Sequence, residues 1–205
     1  MRPRLWWIGA LFMVGSTAFA LGSAPFYSEL VEPALVGVTF FVGSIFFTTA
    51  SLLQLKQTPR FDRFDWWACV VQFAGTLFFN VTTFTAMNDA LSTKQEDIRV
   101  WAPDALGSAC FLVASGLALA AVWSRRGAPW WIAWLNMLGS VFFGGAAIAS
   151  WVVPDTGELL NTAATNAFTF LGAVCFFAGA WLMSRHPAEP AKRHRVTGVD
   201  TARRW

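Results

Sequence analysis

The chain has 205 residues, is 56% hydrophobic and carries charge at only 13% of its positions, where a soluble domain carries about 25%. With a mean hydropathy of +0.48, that composition excludes an ordinary soluble domain. The net charge of +3 is small and unevenly placed, and its distribution argues against a nucleic-acid partner.

Six apolar runs follow one another, at 5–24, 34–55, 66–87, 105–123, 130–153 and 160–183, and none contains Asp, Glu, Lys or Arg. Each is near the roughly 20 residues that a helix needs to cross a bilayer core. They are too long for the strands of a membrane barrel, which take about 10 alternating residues. A helix satisfies its own backbone groups in lipid, so helices are predicted.

The first run opens after Arg2 and Arg4 with Trp6-Trp7. Its basic start and Ala18-Phe19-Ala20 also fit a cleaved signal peptide, but it matches two later runs and is read as a retained helix. The first connector has Glu29 and Glu32 and no base; the second has Lys56, Arg60 and Arg63. In the third run Gln72, Thr76, Asn80 and Thr83 recur every three or four residues and share one helix face. The third connector, 88–104, is the longest and mixes Lys94 and Arg99 with Asp89, Glu96, Asp97 and Asp104. Thr93-Lys94-Gln95-Glu96 has capping-box spacing, which predicts a short external helix ending near Trp101. The fourth connector holds Arg125 and Arg126, and the fifth Asp155 and Glu158. The tail, 185–205, is basic, contains proline and is predicted to be disordered. Its Lys192, Arg193, Arg195, Arg203 and Arg204 suit an anionic lipid surface.

Thirteen of the fifteen Lys and Arg fall on one side of this alternation. Basic loops stay cytoplasmic, so both termini are expected inside. Trp6, Trp7, Trp66, Trp67, Trp123, Trp130, Trp131 and Trp181 cluster at the same edge, as interfacial tryptophans do.

The odd-numbered runs share W-W-x7-G-[ST]-x2-F, through Gly15-Ser16, Gly75-Thr76 and Gly139-Ser140 with Phe19, Phe79 and Phe143. The even runs align more weakly, 40–44 with 111–115 and 176–180, so that Gly43-Ser44 matches Ala114-Ser115 and Gly179-Ala180. Three tandem two-helix hairpins are predicted, at about 1–58, 59–127 and 128–184. Each enters from the same side, which makes them parallel repeats about an axis along the membrane normal. The expected architecture is an all-α, six-helix pseudo-threefold bundle. Gly15, Ser16, Gly43, Ser44, Gly75, Gly139, Ser140 and Gly179 are its expected helix-packing positions, because small residues let backbones approach closely.

Phe40-Phe41-Val42-Gly43-Ser44-Ile45-Phe46-Phe47 with Ala50 and Gln54, together with the segments starting at Gly75 and at Leu138, resembles the two-helix unit of the YrhK-like bacterial membrane proteins. The resemblance implies a bacterial inner-membrane location and brings no activity or catalytic residue with it.

The chemistry-bearing groups are sparse. Cys69, Cys110 and Cys175 stand singly on different runs, both histidines (His186 and His194) are in the tail, and no phosphate-binding glycine loop is present. No catalytic, metal or cofactor site is therefore expected. Gln72, Thr76, Asn80 and Asn136 are candidates for a polar lining; the competing reading is hydrogen bonding between helices, worth about 0.6 kcal/mol a contact. Charge-free runs argue against ion-coupled transport, which keeps ionisable groups in the membrane. The leading expectation is a non-enzymatic membrane module that assembles with itself or a membrane partner through small-residue faces. A channel or facilitator for a small neutral solute is the alternative, and an intramembrane enzyme the last.

Overall fold

The computed structural model describes residues 3–60, 63–88 and 90–186. Among them lie α1 (Pro3–Ser23), α2 (Pro25–Leu30), α3 (Pro33–Gln57), α4 (Arg63–Thr85), α5 (Thr93–Glu96), α6 (Ala102–Val122), α7 (Ala128–Ala149) and α8 (Thr162–Arg185), with a π turn, Asp97–Trp101, running α5 straight into α6. Six helices are long and apolar enough to cross a membrane: α1, α3, α4, the continuous stretch Thr93–Val122, α7 and α8. They fit a multi-pass membrane protein. The basic tail expected to meet anionic lipid lies outside the described residues from 187 onward.

Local chemistry sets the helix ends. α2, α3, α6 and α7 have proline in their first turn, where the missing N–H would have had no helical partner. Asn161 caps α8, its Oδ1 accepting from Ala164 N at 2.9 Å. The loop before α7 turns at Gly127, whose φ of +104 disfavours any residue with a Cβ. The capping box of α5 sits one residue earlier than expected: Ser92 N donates to Gln95 Oε1 at 3.0 Å. α7 stops at Ala149, four residues before the end of its apolar run. There the backbone leaves the helix for a clip, with Val153 N donating to Glu158 O at 2.8 Å and Leu160 N to Trp151 O at 2.7 Å. Its turn closes at Gly157, which has a φ of +70.

The six long helices close a ring. α1 packs on α3, α3 on α4, α4 on α6, α6 on α7 and α7 on α8, and α8 returns to α1. What each turns inward is small or aromatic; what it turns outward is branched and apolar. Val38, Val42, Leu77, Val81, Val113, Leu138, Val141 and Val174 are 43–55% exposed. Among the described residues the buried polar ones are all Ser or Thr, and most bond a carbonyl one turn back or a neighbouring helix. Such a surface suits hydrocarbon, where packing and hydrogen bonds rather than water exclusion hold helices together.

One pattern recurs in all six helices: glycine, a small residue, phenylalanine at +4 and a small residue at +8. It reads Gly15-Ser16-Phe19-Ser23, Gly43-Ser44-Phe47-Ser51, Gly75-Thr76-Phe79-Thr83, Gly107-Ser108-Phe111-Ser115, Gly139-Ser140-Phe143-Ala147 and Gly172-Ala173-Phe176-Ala180. The first even helix therefore matches the other two through Phe47, not Phe40, a shift of seven residues or two helical turns from the sequence alignment. Hydrophobicity alone favours neither register, because both put Phe and Gly in line.

The glycines meet in pairs, Gly15 with Gly43, Gly75 with Gly107, and Gly139 with Gly172. A Cβ on Gly43 would stand 3.2 Å from Gly15 O, one on Gly107 3.2 Å from Gly75 O, and one on Gly172 3.0 Å from Gly139 O. Gly107 and Gly172 were not among the expected packing positions. Gly179 lies apart from this series; a Cβ there would meet Asn136 Oδ1 at 3.2 Å.

Candidate functional site

The pattern's phenylalanines converge at the centre of the ring. Phe19, Phe79 and Phe143 come from helices running one way, and their ring centres are 6.4, 5.8 and 5.7 Å apart. Phe47, Phe111 and Phe176 come from helices running the other way, at 6.4, 6.0 and 5.6 Å. Because each Phe lies four residues beyond its glycine, about 6 Å of rise, opposite helix directions stack the two triads along the bundle axis. Contacts of 5.6, 5.1 and 5.2 Å join them as Phe19–Phe47, Phe79–Phe111 and Phe143–Phe176. All six side chains are buried.

This double layer separates two cavities. The smaller, about 60 Å³, lies against Phe47, Phe111 and Phe176 and is also lined by Gln54, Gln72, Ser115 and Asn136. It has room for a few ordered waters. Of the four expected lining residues, the structure brings Gln72 and Asn136 together here. Thr76 and Asn80 lie instead in the seam between α3 and α4, where Thr76 Oγ1 is 3.3 Å from Ser51 Oγ and Thr48 Oγ1 donates to Asn80 Oδ1 at 3.1 Å. Gln54 was legible as a polar residue but not as a neighbour of the other two.

The seams α3–α4, α6–α7 and α8–α1 differ. In the α3–α4 seam Ser44 Oγ is 3.0 Å from Thr83 Oγ1. In the α6–α7 seam Ser115 Oγ is 2.8 Å from Ser140 Oγ, which also donates toward Phe111 O at 3.1 Å. The α8–α1 seam has Ala173 and Ala180 at the corresponding places. Ser16 is fully buried there, and its hydroxyl has no partner.

The larger cavity, about 380 Å³, rests on Phe19, Phe79 and Phe143 at the other end of the bundle. That is within the range of small-molecule sites. Leu91, Glu96, Val100 and Trp101 of the long connector wall one side, and Val152 and Leu159 of the clip another. Trp101 is held by its indole N–H, which donates to Ala147 O at 2.8 Å, and Thr82 Oγ1 donates to Val100 O. Thr83, Ser108, Asn88 and Asn166 add neutral polar groups.

Asp104 also lines this cavity. The sequence reading puts every charge in a connector or tail; the structure puts Asp104 in the first turn of α6, inside the apolar stretch Thr93–Val122. Counting about 20 residues back from Val122 ends at Pro103, so the carboxyl stands where the hydrocarbon core would end. A charge ordinarily ends an apolar run, which moves the expected boundary past Asp104; this charge faces the cavity and so interrupts nothing.

No group of three or more His, Cys, Asp or Glu able to hold a metal occurs among the described residues. Cys69, Cys110 and Cys175 are free, and Cys69 Sγ lies 3.3 Å from Thr58 Oγ1. No family model, curated protein or solved structure matches the chain.

Proposed function

We propose that the protein is a non-enzymatic membrane module, three parallel hairpins with their basic end in the cytoplasm, which is sealed across its middle and presents a ligand-sized cavity on the opposite face. The six-phenylalanine layer is the observation that carries this reading. A solute reaching Phe19, Phe79 and Phe143 meets close aromatic packing, and the amides Gln54, Gln72 and Asn136 lie beyond it in a space of about 60 Å³. The tandem-hairpin reading draws on the recurring glycine pairs and on tryptophan pairs at 4.8, 4.9 and 4.9 Å near the starts of α1, α4 and α7. Arg60, Arg126 and Arg185 lie over Trp66, Trp130 and Trp181, as interfacial anchors would. The kinship with YrhK-like proteins is part of the same proposal.

The paired glycines are occupied in packing helices within this chain. Assembly with a second copy or a membrane partner would therefore use the outward valine and leucine faces.

A facilitator reading draws on the two cavities lying on opposite sides of one barrier. Osmotic shrinkage of proteoliposomes in urea and glycerol decides between them. A sealed module leaves their permeation at the rate of protein-free vesicles; faster permeation with the unaltered chain overturns the module.

A further inference from the structure

Resting on the reading of the larger cavity as a ligand site, we infer that it binds a small organic ammonium ion with an apolar body, with Asp104 as counter-ion. Its lining holds two acids, Glu96 and Asp104, and no Lys, Arg or His. Lys94 and Arg99, the bases of the same connector, are exposed and do not reach the lining. Among the described residues neither Glu96 nor Asp104 has an ion-pair partner or a side-chain hydrogen bond. Asp97, next to Glu96, buries a carboxylate oxygen that also lacks a partner. An unpaired carboxylate beside hydrocarbon is costly unless something compensates it, and a cation entering the cavity would do so.

The other walls select the kind of cation. Phe19, Phe79, Phe143 and Trp101 are aromatic, and aromatic faces attract ammonium groups while covering an apolar body. A metal ion would need several oxygens closing on one point, and a volume of about 380 Å³ is too roomy for that. Glu29, Glu32, Asp155 and Glu158 are exposed on this end of the bundle and would raise the local concentration of cations.

The test is calorimetric titration of the full chain in detergent with three probes of one shape: phenethylammonium, 2-phenylethanol and phenylacetate. The ammonium is expected to bind about tenfold more tightly than the alcohol, the size of a charge-assisted contact, and phenylacetate not at all. Asp104→Asn should bring the ammonium to the alcohol's affinity without lowering the melting temperature of the ligand-free protein, because it keeps the shape and removes an unpaired charge. Glu96→Gln should act in the same direction with a smaller effect. A cation preference that survives Asp104→Asn overturns the assignment. Equal binding of ammonium and alcohol, lost in Ala86→Phe, overturns the ammonium but leaves the cavity as a site. Failure of all three probes to bind overturns both.

Discussion

Ser16 shows how finely the seams are set. Its counterparts Thr76 and Ser140 each have a hydroxyl partner on the adjacent helix, Ser51 and Ser115. The third partner position is Ala180, and the Ser16 hydroxyl is left alone. A buried hydroxyl without a bond gives no return for its desolvation. Ser140→Ala is therefore expected to lower stability in detergent by about 0.5–1.5 kcal/mol, whereas Ser16→Ala is neutral or stabilising. Ala180→Ser, beside the smaller cavity and with space for a hydroxyl, is expected to restore the missing bond. Reversible unfolding in mixed micelles measures all three, and equal losses in Ser16→Ala and Ser140→Ala would show that the seams do not differ. The sequence contained this contrast, since its alignment already set Ala180 level with Ser115; what it lacked was which helices adjoin, and Ser51 in place of Ser44 as the partner of Thr76.

At the scale of the helix, the glycine pairs decide how near two axes come. A Cβ on Gly172 would fall 2.4 Å from Phe143 Cδ1 and 3.0 Å from Gly139 O. Both the helix pair and the phenylalanine layer would have to give way, at about 1–3 kcal/mol. Gly116 is also in a helix, but there the nearest atom to an added Cβ is Met137 Cε at 3.8 Å. Gly116→Ala is expected to stabilise by up to about 1 kcal/mol through helix propensity alone. Thermal unfolding of the two variants side by side checks this, and a tolerated Gly172→Ala would mean that the pairs do not set the spacing. The spans themselves were legible, because few structures besides a membrane-crossing helix use charge-free runs of about 20 residues. Which face of each span turns inward was much less so. In a soluble protein apolar periodicity marks the buried face; here lipid and interior are both apolar, and the useful marker is side-chain size. Reading odd and even helices separately hides a pattern that all six share.

For the whole molecule, the alternation of basic and acidic connectors predicts which end faces the cytoplasm. In a chain whose three native cysteines are replaced, Glu158→Cys is expected to react with a membrane-impermeant maleimide in intact cells. Arg126→Cys should react only after lysis, and the reverse result would invert the orientation. The alternation was readable from charge alone. The larger cavity was not, because all six long helices contribute to it together with the long connector and the clip. No local spacing announces that meeting. The placement of Asp104 was illegible for the same reason, since what makes it tolerable at its depth is space supplied by residues far away in the chain.

The return of α8 to α1 constrains biogenesis. During synthesis the helices enter the bilayer in order, and every pairing but this one joins successive long helices. Until α8 arrives, the others form an open fan, with the Ser16 side of α1 uncovered. A nascent chain halted after α7 lacks Phe176, and so lacks part of the barrier as well as the closing contact. Quality control therefore has a simple cue available, the uncovered Ser16 side of α1, which α8 closes.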